Sequence, residues 1–193
     1  TELVQKERKL HEIEERVALA AEAAQLGAWE LDMTRSDVWV SDKVRELFQL
    51  KPGEQVTYAE FQERVHPQDR AGRDAANQKA IETRGGYEME FRVLLPDGTV
   101  RWLAERARCV SDQDGNATRL LGVSIDVTKR KEAEELFRLA TEASPSGTLL
   151  VDAQGRIVLV NAHMEELFGY DRIELIGQKV ELLVPDRFAR DPA

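Results

Sequence analysis

The strongest constraint on how this chain folds is a stretch in which apolar and charged residues alternate, residues 87–95. Every second residue of the stretch is apolar, and most of the residues between them carry a charge. A two-residue period is that of a β-strand with one buried face, because successive side chains of a strand point to opposite sides. The sequence therefore predicts a strand here that lies against a hydrophobic core.

Two turn signals follow this strand. Pro96-Asp97-Gly98 combines a fixed φ with residues that reach positive φ, and residues 112–116 form a second polar segment rich in turn formers. Further strands are predicted at residues 99–110 and 118–127, and the charged run at 129–135 predicts a helix. The pattern favours a three-stranded antiparallel meander that leads into a polar helix.

The chain before the meander predicts two short strands and a group of helices. The strands, at residues 28–33 and 38–41, flank a polar turn. Thr57 and Glu60 have the spacing of a capping box at the start of one helix. We expect Asp69 to cap a longer and more polar helix that ends near Thr83.

Residues 1–25 predict one long amphipathic helix. Its apolar residues form a heptad seam between charged residues, which is typical of a coiled coil; the seam residues are Leu3, Leu10, Ile13 and Val17. We predict a parallel coiled coil across a homodimer. The alternative is a helix that lies on its own domain.

The chain also contains an internal repeat with an offset of 120 residues. Between residues 19 and 48 this offset gives eleven identities without a gap, at Leu19, Ala20, Glu22, Ala23, Gly27, Asp32, Val38, Val40, Glu46, Leu47 and Phe48. We therefore predict an N-terminal helix (1–25), a complete first copy (26–128), a connecting helix (129–145) and the N-terminal half of a second copy (146–193).

The meander carries a resemblance to a known family. Tyr87-Glu88, Arg101-Trp102-Leu103 and residues 122–128 are similar in order and spacing to the C-terminal half of PAS domains, the small sensor modules found in tandem in histidine kinases and cyclic-dinucleotide enzymes. The resemblance implies an α+β fold with a five-stranded antiparallel sheet and flanking helices, here preceded by a coiled-coil helix. It also implies a cytoplasmic sensor and dimerisation fragment of a multidomain signalling protein, most often a sensor histidine kinase.

An alternative function is a receptor with a ligand in the first copy. Positions that resemble the pocket-facing ones of ligand-binding relatives are Trp29, Leu31, Phe91, Val93, Leu103, Glu105 and Ser124. The competing interpretation is that these side chains are ordinary core. A buried Glu105 would need a hydrogen-bond or charge partner.

The resemblance also limits which cofactors the first copy can hold. Relatives that bond flavin covalently use a cysteine, and residues 41–86 contain none. Haem-binding relatives use a histidine on the long polar helix, and residues 69–83 contain none. A noncovalent flavin, another small ligand and an empty pocket all remain open.

Asp126-Val127-Thr128 stands where the last strand becomes the connecting helix. In sensors that this chain resembles, this tripeptide fixes the exit of the signalling helix. The chemistry agrees, because Thr128 can cap the first free amides of the helix and Asp126 can pair with a basic side chain. The alternative is an ordinary helix cap without a signalling role.

Composition excludes several other classes of function. A net charge of −9 disfavours nucleic acid as a partner. No apolar run has the roughly 18 residues that a membrane span needs, and the single cysteine fits a reducing cytoplasm. The three histidines lack partners at metal-ligand spacing, and no catalytic motif is present, so we expect neither a metal site nor an enzyme.

Overall fold

The computed structural model of the protein describes residues 2–53 and 55–184. The chain divides into two compact units, Thr1–Lys129 and Arg130–Ala193. The first unit contains, in chain order, α1 (Glu2–Ala23), β1 (Gly27–Asp32), β2 (Asp37–Val40), α2 (Asp42–Phe48), α3 (Tyr58–Arg64), α4 (Pro67–Thr83), β3 (Gly86–Leu94), β4 (Val100–Ser111) and β5 (Ala117–Asp126). Helix α5 (Thr128–Glu142) starts in the first unit and continues into the second.

The predicted meander forms the larger part of a five-stranded antiparallel sheet. Strands β3, β4 and β5 pair in sequence order, and β1 pairs with β5, which gives the order β2-β1-β5-β4-β3. Residue Glu105 on β4 stands opposite Ser124 on β5 and opposite Met89 on β3. The fold class predicted from the sequence, with this sheet and its flanking helices, is confirmed.

The inner face of the sheet packs against α2, α3 and α4 to form the core of the first unit. The rings of Phe48 on α2 and Phe61 on α3 meet edge to face, with centroids 4.8 Å apart. Buried core side chains come from both layers and include Val40, Val44, Leu47, Phe48, Val65, Phe91, Val93 and Leu103. The alternation in β3 therefore reflects one buried and one outer face.

The helix caps agree with the sequence in one case and differ in another. Thr57 and Glu60 form the predicted capping box of α3. The prediction that Asp69 caps the next helix is wrong: α4 begins after His66, whose ring accepts a hydrogen bond from the backbone N–H of Gln68. Pro67 is the first residue of the helix, where proline is favoured because it has no backbone N–H that would need a partner. The carboxylate of Asp69 makes its hydrogen bonds outside the helix.

The described side chains of α1 leave its apolar seam uncovered within this chain. Ile13 is 49% exposed and Val17 is 63% exposed. The side chains of Leu3 and Leu10, the other two residues of the predicted seam, lie outside the described residues.

The second unit has an order of elements similar to that at the start of the first unit, with a helix, two strands and then short helices. It contains the end of α5, β6 (Leu149–Val151), β7 (Ile157–Val160), α6 (Ala162–Phe168), α7 (Arg172–Leu175) and a 3₁₀ helix (Val180–Leu183). Its buried core residues are Ile157, Val160, Met164 and Leu175. Leu167 and Phe168 are 65% and 39% exposed, whereas their repeat equivalents Leu47 and Phe48 are buried in the first unit, where the meander covers them.

Gly122 on β5 provides a test of the packing of the sheet. A Cβ at this position would overlap the indole ring of Trp29 on the neighbouring strand. We expect Gly122→Ala to lower the free energy of unfolding by about 1–3 kcal/mol, because the ring must move out of a packed position. Urea denaturation of the whole chain measures this change.

Gly72 offers the matched control. It lies inside α4, and a Cβ there would meet nothing within 4 Å. Gly72→Ala should raise the free energy of unfolding by about 0.5–1 kcal/mol, since alanine favours the helix. Equal effects of the two substitutions would contradict the close approach of Trp29 to β5.

Candidate sensory site

The residues predicted to face a pocket all lie on the inner face of the first sheet. Five of them are fully buried, namely Phe91, Val93, Leu103, Glu105 and Ser124. Trp29, Leu31 and Glu105 border a cavity of about 20 Å³, together with side chains from α2, α3 and α4. The structure thus brings the predicted residues together around a core that is nearly filled.

A buried ion pair occupies the centre of this site. Arg73 on α4 approaches both carboxylate oxygens of Glu105, with Nε 3.2 Å from Oε1 and Nη2 3.3 Å from Oε2. The two side chains are only 5% and 1% exposed. Arg73 is therefore the charge partner that the sequence required for a buried Glu105.

Several neutral groups complete the bonds of this pair. Tyr87 donates from its hydroxyl to Glu105 Oε1 at 2.7 Å, and Ser124 donates to Oε2 at 3.2 Å. Arg73 Nη1 donates to Gln62 Oε1 at 3.0 Å. The network is thus anchored on α3, α4 and three strands of the sheet.

The electrostatics of the site keep the Arg73 guanidinium charged. Burial is the largest influence and by itself would lower the pKa of this group, but the charge of Glu105, the hydrogen bond to Glu105 and the nearby tyrosines together raise this pKa above its ordinary value. Burial, followed by the charge of Glu105, raises the pKa of the Tyr87 phenol far above its ordinary value. Tyr87 therefore stays protonated and remains a hydrogen-bond donor to the carboxylate.

Arg73 was missed in the sequence analysis, although a weak signal was present. The buried positions of α4 are Arg73, Asn77 and Ala80, which fall on one helical face at spacings of four and three residues. Two of these three residues are polar, so hydrophobic periodicity does not identify the face.

A second ion pair fixes α4 against the sheet one turn before Arg73. Asp69 accepts hydrogen bonds from the backbone N–H of Arg92 at 2.8 Å and from its guanidinium at 2.9 and 2.6 Å. The side-chain hydrogen bond from Arg92 is the main reason that the pKa of Asp69 lies below its ordinary value. This pair positions the helix that carries Arg73.

The exit from the sheet lies at the end of β5. Asp126 Oδ2 is 3.2 Å from Nε of Arg101, and Oδ1 accepts a hydrogen bond from the backbone N–H of Thr128 at 2.8 Å. The hydroxyl oxygen of Thr128 accepts a hydrogen bond from the backbone N–H of Trp102 at 2.9 Å. Both side chains of the predicted relay thus hold the start of α5 against β4.

The predicted roles of these two residues need one correction. Thr128 does not cap the free amides at the start of α5 in the described contacts, because its oxygen bonds to Trp102. Asp126 binds the first helical amide instead. Arg101 also donates to the carbonyls of Glu46 and Leu47 at 2.9 and 2.6 Å, so the exit is tied to the end of α2 as well.

The far end of α5 is anchored within the second unit by Asn161, which is fully buried. Its side-chain oxygen accepts hydrogen bonds from the backbone N–H groups of Thr148 and Met164 at 2.9 and 3.1 Å. Its amide donates to the carbonyls of Thr141 and Ser146, both at 3.0 Å. One side chain thus joins the end of α5 to the segment before β6 and to α6, using all four of its hydrogen-bonding positions.

A salt-bridge cluster reinforces this anchor. Glu142 on α5 accepts a hydrogen bond from the backbone N–H of Ala162 at 3.0 Å and lies 2.8 Å from Nη1 of Arg172. Arg172 also pairs with Glu165 on α6 at 2.7 Å. No local sequence pattern predicts these pairs, because the partners are up to 30 positions apart.

The described ranges, 2–53 and 55–184, contain no group of three or more His, Cys, Asp or Glu side chains placed to hold a metal ion. None of the helices in these ranges is both long and apolar enough to cross a bilayer.

The family of the chain follows from two matches to models of the PAS fold. One match covers residues 37–124, and the other covers residues 135–191. Together they take in all or most of four strands of the first sheet, its buried ion pair and most of the second unit. The chain belongs to the PAS sensor-domain family.

Curated relatives are signalling proteins. Sensor protein FixL of Bradyrhizobium diazoefficiens is 29% identical over 168 residues, which cover 83% of this chain and 33% of the relative. The probable diguanylate cyclase DgcE of Escherichia coli is 26% identical over 183 residues, which cover 91% of this chain and 16% of the relative. A blue-light-activated histidine kinase of Brucella anthropi is 32% identical over 143 residues, which cover 72% of this chain and 28% of the relative.

These comparisons assign the chain to a class of function. It spans a third or less of the length of each of these relatives. The chain therefore belongs to the class of PAS sensor modules of signal-transduction proteins.

Solved structures agree with the fold. A sensory box histidine kinase/response regulator from Burkholderia thailandensis has a TM-score of 0.55 at 28% identity, covering 65% of this chain and 94% of that one. The N-terminal domain of a diguanylate cyclase with a PAS/PAC sensor from Marinobacter aquaeolei has a TM-score of 0.51 at 20% identity, with 55% and 98% covered.

The ion pair of Asp69 predicts how stability depends on pH. Because its pKa is lowered in the folded state, the unfolded chain takes up a proton more readily than the folded chain. The carboxylate thus stabilises the fold above the ordinary pKa of about 4, and this contribution is lost as the pH falls through the lower, folded-state value. Asp69→Asn should be less stable than the wild type at neutral pH, and the difference should shrink toward about pH 2.

Urea denaturation at a series of pH values measures this difference. Asp114→Asn serves as the control, since Asp114 is exposed in the turn between β4 and β5. A difference for Asp69→Asn that stays constant across the acid range would contradict the role of the charge.

Proposed function

We propose that the chain is the sensory and dimerising part of a longer cytoplasmic protein, and that its first PAS copy passes its state to an output domain through α5. Sensor histidine kinases and diguanylate cyclases among the relatives suggest the kind of output, with the kinase favoured. The observation that carries the proposal is that α5 is held by side-chain hydrogen bonds at both ends, through Asp126 and Thr128 at its start and Asn161 at its end.

A continuous set of contacts leads from the buried ion pair to this helix. Arg73 binds Glu105 on β4, and Glu105 accepts a hydrogen bond from Ser124 on β5. Ser124 lies two residues before Asp126, which binds the first turn of α5. A displacement of α4 would therefore act on the end of β5, and so on the start of α5, through two hydrogen-bonded steps.

The alternative, a receptor for noncovalent flavin or a small metabolite, has less support. A cavity of about 20 Å³ admits a single water molecule. Drug-sized ligands and cofactors need roughly 300 Å³ or more. A flavin does not fit among the side chains as they are packed.

The relay is tested by Asp126→Ala. The substitution removes the acceptor for the first amide of α5 and the partner of Arg101, so amide exchange in the first turn should rise about fivefold, the equivalent of a cap worth about 1 kcal/mol. In the full-length parent, output should lose its dependence on the signal while the first copy stays folded. Hydrogen exchange and an assay of the parent's output measure the two effects.

Asp114→Ala is the matched control, because it removes an exposed carboxylate at the opposite end of β5. It should change neither exchange in α5 nor output. Faster exchange with an unchanged signal response would reduce Asp126 to an ordinary helix cap.

A homodimer through α1 is tested by charge substitutions in the seam. Ile13→Glu combined with Val17→Glu places two carboxylates per chain at exposed apolar positions, which should convert dimers to monomers. Arg8→Glu adds a carboxylate at an exposed position outside the seam and should leave dimers intact. Sedimentation velocity distinguishes the outcomes, and a wild-type chain that is monomeric at high concentration would refute the dimer.

A further inference from the structure

The side chain of Arg73 fills the inner site of the first copy as a bound ligand would. It reaches the site from α4 and is almost completely buried. Its guanidinium approaches both oxygens of Glu105 on one edge and the side-chain oxygen of Gln62 on another. The centre of the guanidinium lies 5.1 Å from the ring centroid of Phe91 and 5.9 Å from that of Trp29.

The groups around Arg73 match one chemical class. A carboxylate that presents both oxygens binds a planar, forked donor better than a point charge. The faces of aromatic rings attract cations. The amide oxygen of Gln62 adds an acceptor, so the side chains that touch the guanidinium offer it two acceptor groups and two rings.

The carboxylate at the centre of this site is positioned by groups other than Arg73. Tyr87 donates to one oxygen of Glu105, and Ser124 donates to the other. Both donors belong to the sheet, as does Glu105 itself. The anionic half of the site is therefore built mainly from the sheet, although the Tyr87 hydroxyl also lies 2.7 Å from Oδ1 of Asn77 on α4.

We infer that the inner face of the first PAS copy is a recognition site for a guanidinium group, that its occupant is the chain's own Arg73, and that the site is thereby closed to planar cofactors of flavin size. This assignment goes beyond the proposed relay and does not depend on it. A site closed in this way responds to whatever moves α4, because the occupant is part of that helix.

The test is to remove the occupant and supply it from solution. Arg73→Ala in the whole chain leaves Glu105 buried without its charge partner and should lower the midpoint of thermal unfolding by roughly 10 °C or more. Millimolar ethylguanidinium, which replaces the deleted atoms, should restore at least half of this loss. Ethylammonium has the same charge without the planar fork and should restore little.

Two further proteins complete the experiment. The wild type should gain nothing from ethylguanidinium, because its site is filled. The double variant Arg73→Ala/Glu105→Ala lacks the carboxylate and should also fail to respond. Should Arg73→Ala not fold alone, its refolding yield with ethylguanidinium against ethylammonium makes the same distinction.

Several results would overturn the inference. Equal effects of the two cations on Arg73→Ala, in unfolding or in refolding, would remove the specific recognition of a guanidinium. An equal gain by the wild type or by the double variant would place the effect outside the site. Stoichiometric binding of flavin mononucleotide by the wild type would contradict the closure, and none of these results would bear on the role of Asp126.

Discussion

The ion pair of Arg73 and Glu105 is the interaction on which the first PAS copy depends. Removing two charges from water costs several kcal/mol per ion, and the cost is offset only when geometry is good and the remaining bonds are made. Tyr87, Ser124 and Gln62 make those bonds here. This contact therefore fixes the position of α4 relative to the sheet, because most of its stabilising energy is lost if either layer shifts.

Local signals account for the parts of the fold that the sequence predicted well. The strands of the meander are encoded by alternation and by turn residues a few positions apart, and so is the capping box at Thr57 and Glu60. Asp69 was assigned to a cap because local rules favour it, whereas its partner is Arg92, 23 residues away. Arg73 pairs with Glu105 across 32 residues, a distance at which no periodicity in one sequence carries information.

The tripeptide Asp126-Val127-Thr128 at the exit of the sheet also shows that local chemistry predicts some partners and not others. The pairing of Asp126 with a basic side chain was predicted from its chemistry, and Arg101 is that side chain. Thr128 has the chemistry of a cap, yet its hydroxyl accepts a hydrogen bond from Trp102 on the adjacent strand. Which donor a hydroxyl meets depends on tertiary packing, since both candidates are backbone amides.

The internal repeat places Ser41 and Asn161 at equivalent positions, where they differ in hydrogen-bonding groups. Both side chains accept hydrogen bonds from a backbone N–H thirteen residues earlier, at Ala28 or Thr148, and from the first turn of the helix that follows. Only the asparagine has an amide group, which donates hydrogen bonds to two carbonyls in the segment at the end of α5. The residue type at this one position of the repeat therefore decides whether its side chain can hold the end of the helix that enters the copy.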